Sequence, residues 1–185
     1  MRFEKPARYM GGEENACRKD LSRVDLKVAL LFPDLYEIGM SHLGIKIIYE
    51  ILNSRPDIAA ERVFSPAPDL ALFLRKEGYQ LFTLESHAPL RSFDLLGASL
   101  HYELTYTNFL DALSLSGIPF FSSERGEDDP IVIAGGPCAF NAEPLAPFLD
   151  AVVLGDGEEV CLEVASAIIA WKRKGGRKRR ELYES

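Results

Sequence analysis

The feature that most constrains this chain is a set of short apolar runs that each end in glycine or polar residues. They are Leu26-Lys27-Val28-Ala29-Leu30-Leu31-Phe32, residues 92–100, Ile131-Val132-Ile133-Ala134 and Ala151-Val152-Val153-Leu154. Runs this short and continuous suit strands buried on both faces of a parallel sheet. Between and after them, apolar residues recur at helical spacing: Leu43, Ile47, Ile48, Ile51 and Leu52; then Tyr106, Phe109, Leu110 and Leu113; then Val160, Val164, Ile168 and Trp171. Residues 60–64 and, more weakly, 80–84 are further strand candidates. Asp69 is placed to cap a helix over 70–77 that Gly78 stops. Strands alternating with amphipathic helices predict an α/β fold, a Rossmann-like (flavodoxin-like) three-layer sandwich with a mostly parallel sheet.

Ligands of such folds sit at the carboxyl ends of the strands. Those ends carry Asp34 to Gly39, Ser99 to Glu103, Gly135 to Pro137, and Gly155 to Glu159. At the first, Phe32-Pro33-Asp34-Leu35-Tyr36-Glu37-Ile38-Gly39-Met40-Ser41-His42-Leu43-Gly44, a strand passes through a glycine-bearing loop into a helix, which places backbone N–H groups beside a crevice. Asp34 as a helix cap and Gly39 as a point of backbone freedom also explain this turn without a ligand. Glu158 and Glu159 fit the positive end of the last helix, or form a polar cluster on the rim. His42 and His101 fall near the rim and His87 in a loop; hydrogen-bonded or solvent-facing imidazoles explain all three. Cys138 reads as a small buried residue.

Composition excludes several classes. A net charge of −7 argues against a surface built for nucleic-acid phosphates. Seven of the 21 Lys and Arg lie in 172–180, a basic tail that leaves contact with nucleic acid open but reads more simply as a solvated helix end. No apolar run reaches the roughly 18 residues of a spanning helix, and the N-terminus lacks the apolar stretch of a secretory signal, so a cytoplasmic protein without membrane contact is expected. Cys17, Cys138 and Cys161 form no zinc or iron–sulfur spacing, so no metal site and no catalytic residue is assigned.

Asp34-x-Tyr36-x-x-Gly39 resembles the Asp-x-His-x-x-Gly signature of cobalamin-binding domains, with tyrosine in the histidine slot. Ser99 resembles their Ser-x-Leu position, although Leu100-His101 departs from its spacing, and Gly135-Gly136 resembles their Gly-Gly turn. The resemblance is wider than these motifs. Arg8-Tyr9 with Glu13 and Asn15, Ala60-Glu61-Arg62-Val63-Phe64, Tyr102-Glu103-Leu104-Thr105-Tyr106-Thr107-Asn108, Ile133 to Cys138, and Gly155-Asp156-Gly157-Glu158-Glu159 are similar to the N-terminal region of cobalamin-binding-type radical SAM proteins.

That resemblance implies a cobalamin-type domain over 25–174, preceded by an arm (1–24) and followed by a linker (175–185). The linker would lead to a C-terminal radical SAM barrel of the same polypeptide, which holds the 4Fe-4S cluster and S-adenosylmethionine. The barrel's Cys-x-x-x-Cys-x-x-Cys segment is not in this sequence, so the chain reads as a domain without radical chemistry of its own. The resemblance implies cofactor-binding roles for Asp34, Tyr36, Gly39, Ser99, Gly135, Gly136, Gly155 and Glu158. A tyrosine with a pKa near ~10 is a poor neutral ligand at pH 7. The expectation is therefore weak cobalamin binding without a protein nitrogen on the metal; the alternative is a non-catalytic docking module that has lost cobalamin.

Overall fold

The computed structural model describes residues 3–175 and 179–183. Five strands form one all-parallel sheet: β1 (Leu26–Phe32), β2 (Ile58–Phe64), β3 (Leu95–Ser99), β4 (Ile131–Gly135) and β5 (Ala151–Val152), in the order β2-β1-β3-β4-β5. In register, Val28 lies beside Leu95, Leu95 beside Ile131, and Ile133 beside Ala151. The order changes direction at β1, which puts the crevice of an open α/β sheet between the exits of β1 and β3. A Rossmann-like α/β sandwich is what the chain forms.

Alternation along the strands supplies two cores. Val28, Leu30 and Phe32 face α2 (Leu43–Ser54) and α5 (Gly157–Arg173), while Ala29 and Leu31 face α3 (Pro68–Glu77) and α4 (Tyr106–Ser116). A short helix, α1 (Tyr36–Ser41), links β1 to α2. Gly117 closes α4 at φ 64°, a left-handed position that glycine takes without strain.

Several elements differ from the sequence reading. Residues 80–84 are not a ladder strand but a loop along the free edge of β2. The Leu84 N–H donates to Arg62 O at 2.8 Å, and the next pairing position is taken by the Glu85 carboxylate, which accepts from Arg62 N at 2.7 Å and Nε at 2.6 Å. The Asn53 side-chain amide pairs with Ala60 in both directions, so the edge strand presents few free groups. Asp69 does not cap α3; Pro68 occupies the first turn, and Asp69 accepts from the Leu70 and Glu4 N–H groups. On α2 the buried residues are Ile45, Tyr49 and Leu52, and Leu43 is exposed.

The arm is tied down. Lys19 Nζ donates to the carbonyls of Asn53, Arg55 and Ile58 at 2.6–2.8 Å, and the Cys17 N–H donates to the Tyr49 hydroxyl at 2.7 Å. At the opposite terminus, a short helix α6 (Arg179–Tyr183) docks on Asp150, whose Oδ1 accepts from the Tyr183 hydroxyl at 2.7 Å. Of the stretch expected to be a linker, residues 176–178 and 184–185 lie outside the described residues. No helix among the described residues is long and apolar enough to cross a membrane.

Candidate functional site

In a parallel sheet all strand exits share one edge, so the exits of β1, β3, β4 and β5 meet there. Behind that edge, between the sheet and helices α2 and α5, lies a cavity of about 590 Å³. Alternation explains why it is open. On the face toward α2 and α5, β3 presents Leu95, Gly97 and Ser99, and β4 presents Ile131, Ile133 and Gly135, so the rim half of that face carries almost no side-chain volume. A Cβ at Gly97 would come no nearer than 3.6 Å to Leu30 Cδ2, and one at Gly135 no nearer than 3.6 Å to Val153 Cβ. Neither glycine is required by packing.

Gly136 is required. Its φ is 100°, and a Cβ there would lie 2.6 Å from Leu100 O. This close approach lets the Leu100 N–H donate to Gly135 O at 2.8 Å and the Cys138 N–H donate to Leu100 O at 3.1 Å, locking the two exit loops together. Gly155, at φ 105°, turns the β5 exit into α5. Asp156 and Glu158 then stand on one lip of the cavity at the positive helix end.

Ser99, Gly135, Gly136, Gly155 and Glu158 therefore gather on the cavity wall. Asp34, Tyr36 and Gly39 do not line it. Buried Asp34 accepts from the Leu35 N–H at 2.7 Å and from the Tyr102 hydroxyl at 3.0 Å. Tyr36 packs edge-on against Phe64, and its hydroxyl donates to Glu13 of the arm at 3.0 Å. Burial and that carboxylate raise its pKa. Gly39 serves packing, since a Cβ there would lie 2.3 Å from the Phe64 ring.

The site includes residues that sequence reasoning did not select. His42 and His101 stand together at the cavity wall with ring centroids 3.9 Å apart, and Phe32 lies 5.1 and 5.3 Å from them. Ser99 Oγ and His101 Nε2 share a hydrogen bond at 2.9 Å. Burial, then the neighbouring His42, lower the His101 pKa. Gly97 and Ser99, two apart in one apolar run, were the signal available for the open floor. Cys161 also lines the wall, with burial pushing its thiol up. Among the described residues, no group of three His, Cys, Asp or Glu side chains is arranged to hold a metal ion.

An apolar cavity with a glycine and serine floor lies at the switch point of a 2-1-3-4-5 sheet, the place where open α/β folds in general receive ligands. Residues 44–185 match the family described as radical SAM proteins, N-terminal, and the chain belongs to that family. The match takes in the cavity residues from Gly44 onward, whereas the segment from Asp34 to Gly39 lies before it. A comparison with curated proteins gives no match. Membership implies a C-terminal radical SAM domain as partner.

Proposed function

We propose that this is the cofactor-receiving N-terminal domain of a radical SAM enzyme, with the cavity taking the nucleotide tail of a cobalamin and the rim packing over the catalytic barrel. The observation that carries the reading is the cavity itself: two strand glycines stand where a larger residue would fit, over an apolar space of about 590 Å³. A flat ring system between sheet and helices would fill it. No protein nitrogen is assigned to the cobalt, because Tyr36 occupies the histidine slot and is committed to Glu13. The 4Fe-4S cluster and S-adenosylmethionine belong to the barrel. Leu104 (81% exposed), Phe140 (75%) and Leu154 (62%) stand on loops at the same edge and support its use as an apolar docking rim.

One observation favours a second reading. With the signature position turned away from the cavity, the domain is also suited to a docking role without cobalamin. Titration of the protein at its full natural length with hydroxocobalamin, followed by electron paramagnetic resonance of the reduced cobalt, separates the two. The proposal predicts retained cobalamin whose cobalt signal shows no nitrogen splitting. A splitting lost in His42→Ala or His101→Ala would overturn the ligation claim, and one that persists in both would place the tail outside the cavity. Failure to retain cobalamin would favour docking alone.

A further inference from the structure

The cavity changes character along its depth. Among the described residues, every lining side chain with a nitrogen or oxygen stands at the mouth: His42 just before α2, Ser99 and His101 at the exit of β3, and Asp156 and Glu158 at the start of α5. From Ser99 inward to Leu95 is a distance of about 13 Å at the usual rise of a strand. Over that length the walls are hydrocarbon. Ile133 and the bare Gly97 form the sheet wall and Ile48 and Val164 the helix wall, all partly exposed, while Val28, Leu52 and Leu95, each 4% exposed or less, close the inner end.

Backbone polar groups are spent there as well. Residues 95–99 pair in register with 131–135 on one side, and Leu95 to Ala98 with Val28 to Leu31 on the other, so their N–H and C=O groups lie in the plane of the sheet. On the helix wall the Cys161 thiol donates to Glu158 O at 3.3 Å, within its own helix. The inner half of the cavity therefore offers an occupant apolar contact and no hydrogen bond, and an apolar space of this kind holds no ordered water that could bridge one.

We infer that the group seated deepest is an aromatic ring whose leading edge carries only carbon, and that the inner end of the cavity selects against a purine. This rests on the cavity holding a cobalamin tail, and it specifies the base of that tail: dimethylbenzimidazole enters with its methyl-bearing edge first and its nitrogens toward the mouth. Adenine in the same place would carry an amino group and ring nitrogens into the inner half, where their hydrogen bonds to water are lost and not replaced. The methyl groups instead add apolar area against the two walls. Ile48, Ile133 and Val164 are then the specificity-determining residues.

Three corrinoids test this on the protein at its full natural length: hydroxocobalamin, its counterpart with adenine in place of dimethylbenzimidazole, and hydroxocobinamide, which has no tail. Equilibrium ultrafiltration, read by corrin absorbance, gives the three affinities. The wild type should hold hydroxocobalamin about a hundredfold more tightly than the adenine form, and hydroxocobinamide more weakly than hydroxocobalamin. Val164→Asn, which brings an amide to the inner wall, should cut the preference to about tenfold or less. Val164→Ala, still apolar, should keep it, and Ile133→Thr repeats the test from the sheet side should Val164→Asn not fold by circular dichroism. Hydroxocobalamin retained with a ratio near one, or with a preference for adenine, would overturn the inference and leave the cobalamin reading standing. An undiminished preference in both polar variants would overturn the assignment to these walls. Equal retention of hydroxocobinamide and hydroxocobalamin would put the tail outside the cavity, and retention of none of the three would refute the cobalamin reading and the inference with it.

Discussion

Gly97 offers a substitution whose effects on folding and on binding should go in opposite directions. It sits mid-strand in β3 with its missing side chain directed at the cavity, and a Cβ there meets only Leu30 Cδ2, at 3.6 Å. Glycine in a strand interior weakens it by roughly 0.5–1 kcal/mol relative to alanine. Because the added methyl enters open apolar space, Gly97→Ala should recover about that much, raising the melting temperature by about 1–4 °C for a domain of this size. Gly97→Leu should fill the cavity further, at little cost in stability, and abolish occupancy. The control is Gly136→Ala, where φ is 100° and a Cβ would sit 2.6 Å from Leu100 O. Strain of that kind costs about 1–3 kcal/mol. Urea unfolding of the three variants measures the contrast. If Gly97→Ala destabilises as much as Gly136→Ala, the space beside β3 is not open, and the reasoning that built the site from strand alternation fails.

Three further outcomes follow from the same contacts. Arg125, fully buried and 2.7 Å from the equally buried Asp150, also donates to Phe120 O and Pro119 O; Arg125→Met should cost about 3 kcal/mol in urea unfolding, since Arg179 Nη1, at 3.4 Å, compensates Asp150 only in part. Lys19→Met removes three donated hydrogen bonds to the end of α2 and the start of β2, and should speed protease cleavage within the arm while leaving cavity binding intact. The His101 pKa lies below its ordinary 6.5 in the folded state, so the folded protein takes up that proton less readily than the unfolded chain. The stability this contributes is complete above pH 6.5 and is lost as pH falls from there toward the folded value; His101→Gln should flatten that slope in unfolding measured across pH 5 to 8 (roughly the range in which histidine titrates).

Much of this fold was legible because its signals are local. The apolar runs of β1, β3 and β4 need no partner to be read as buried strands, and Gly117 after the helical spacing of α4 marks its own stop. Elements decided by distant groups were not legible. Residues 80–84 resemble a strand, yet the position they would fill on β2 is taken by the Glu85 side chain. The run at 151–154 pairs over only two residues, because the chain turns at Gly155 into α5. In the site, Ser99, Gly135, Gly136, Gly155 and Glu158 come together because parallel strand exits converge. Asp34, Tyr36 and Gly39 are drawn elsewhere by Tyr102, Glu13 and Phe64, none of which is near them in sequence. The pairing of His42 with His101 follows from β1 lying beside β3, which the order of elements along the chain does not specify.

The central claim is that the space between the sheet and helices α2 and α5 is a ligand site built for a cobalamin tail. Equilibrium retention of hydroxocobalamin by the protein at its full natural length, compared between the wild type and Gly97→Leu, tests it most directly. The account predicts that the wild type retains the cofactor and that Gly97→Leu, still folded by circular dichroism, does not. Equal retention by both, or retention by neither, would contradict it.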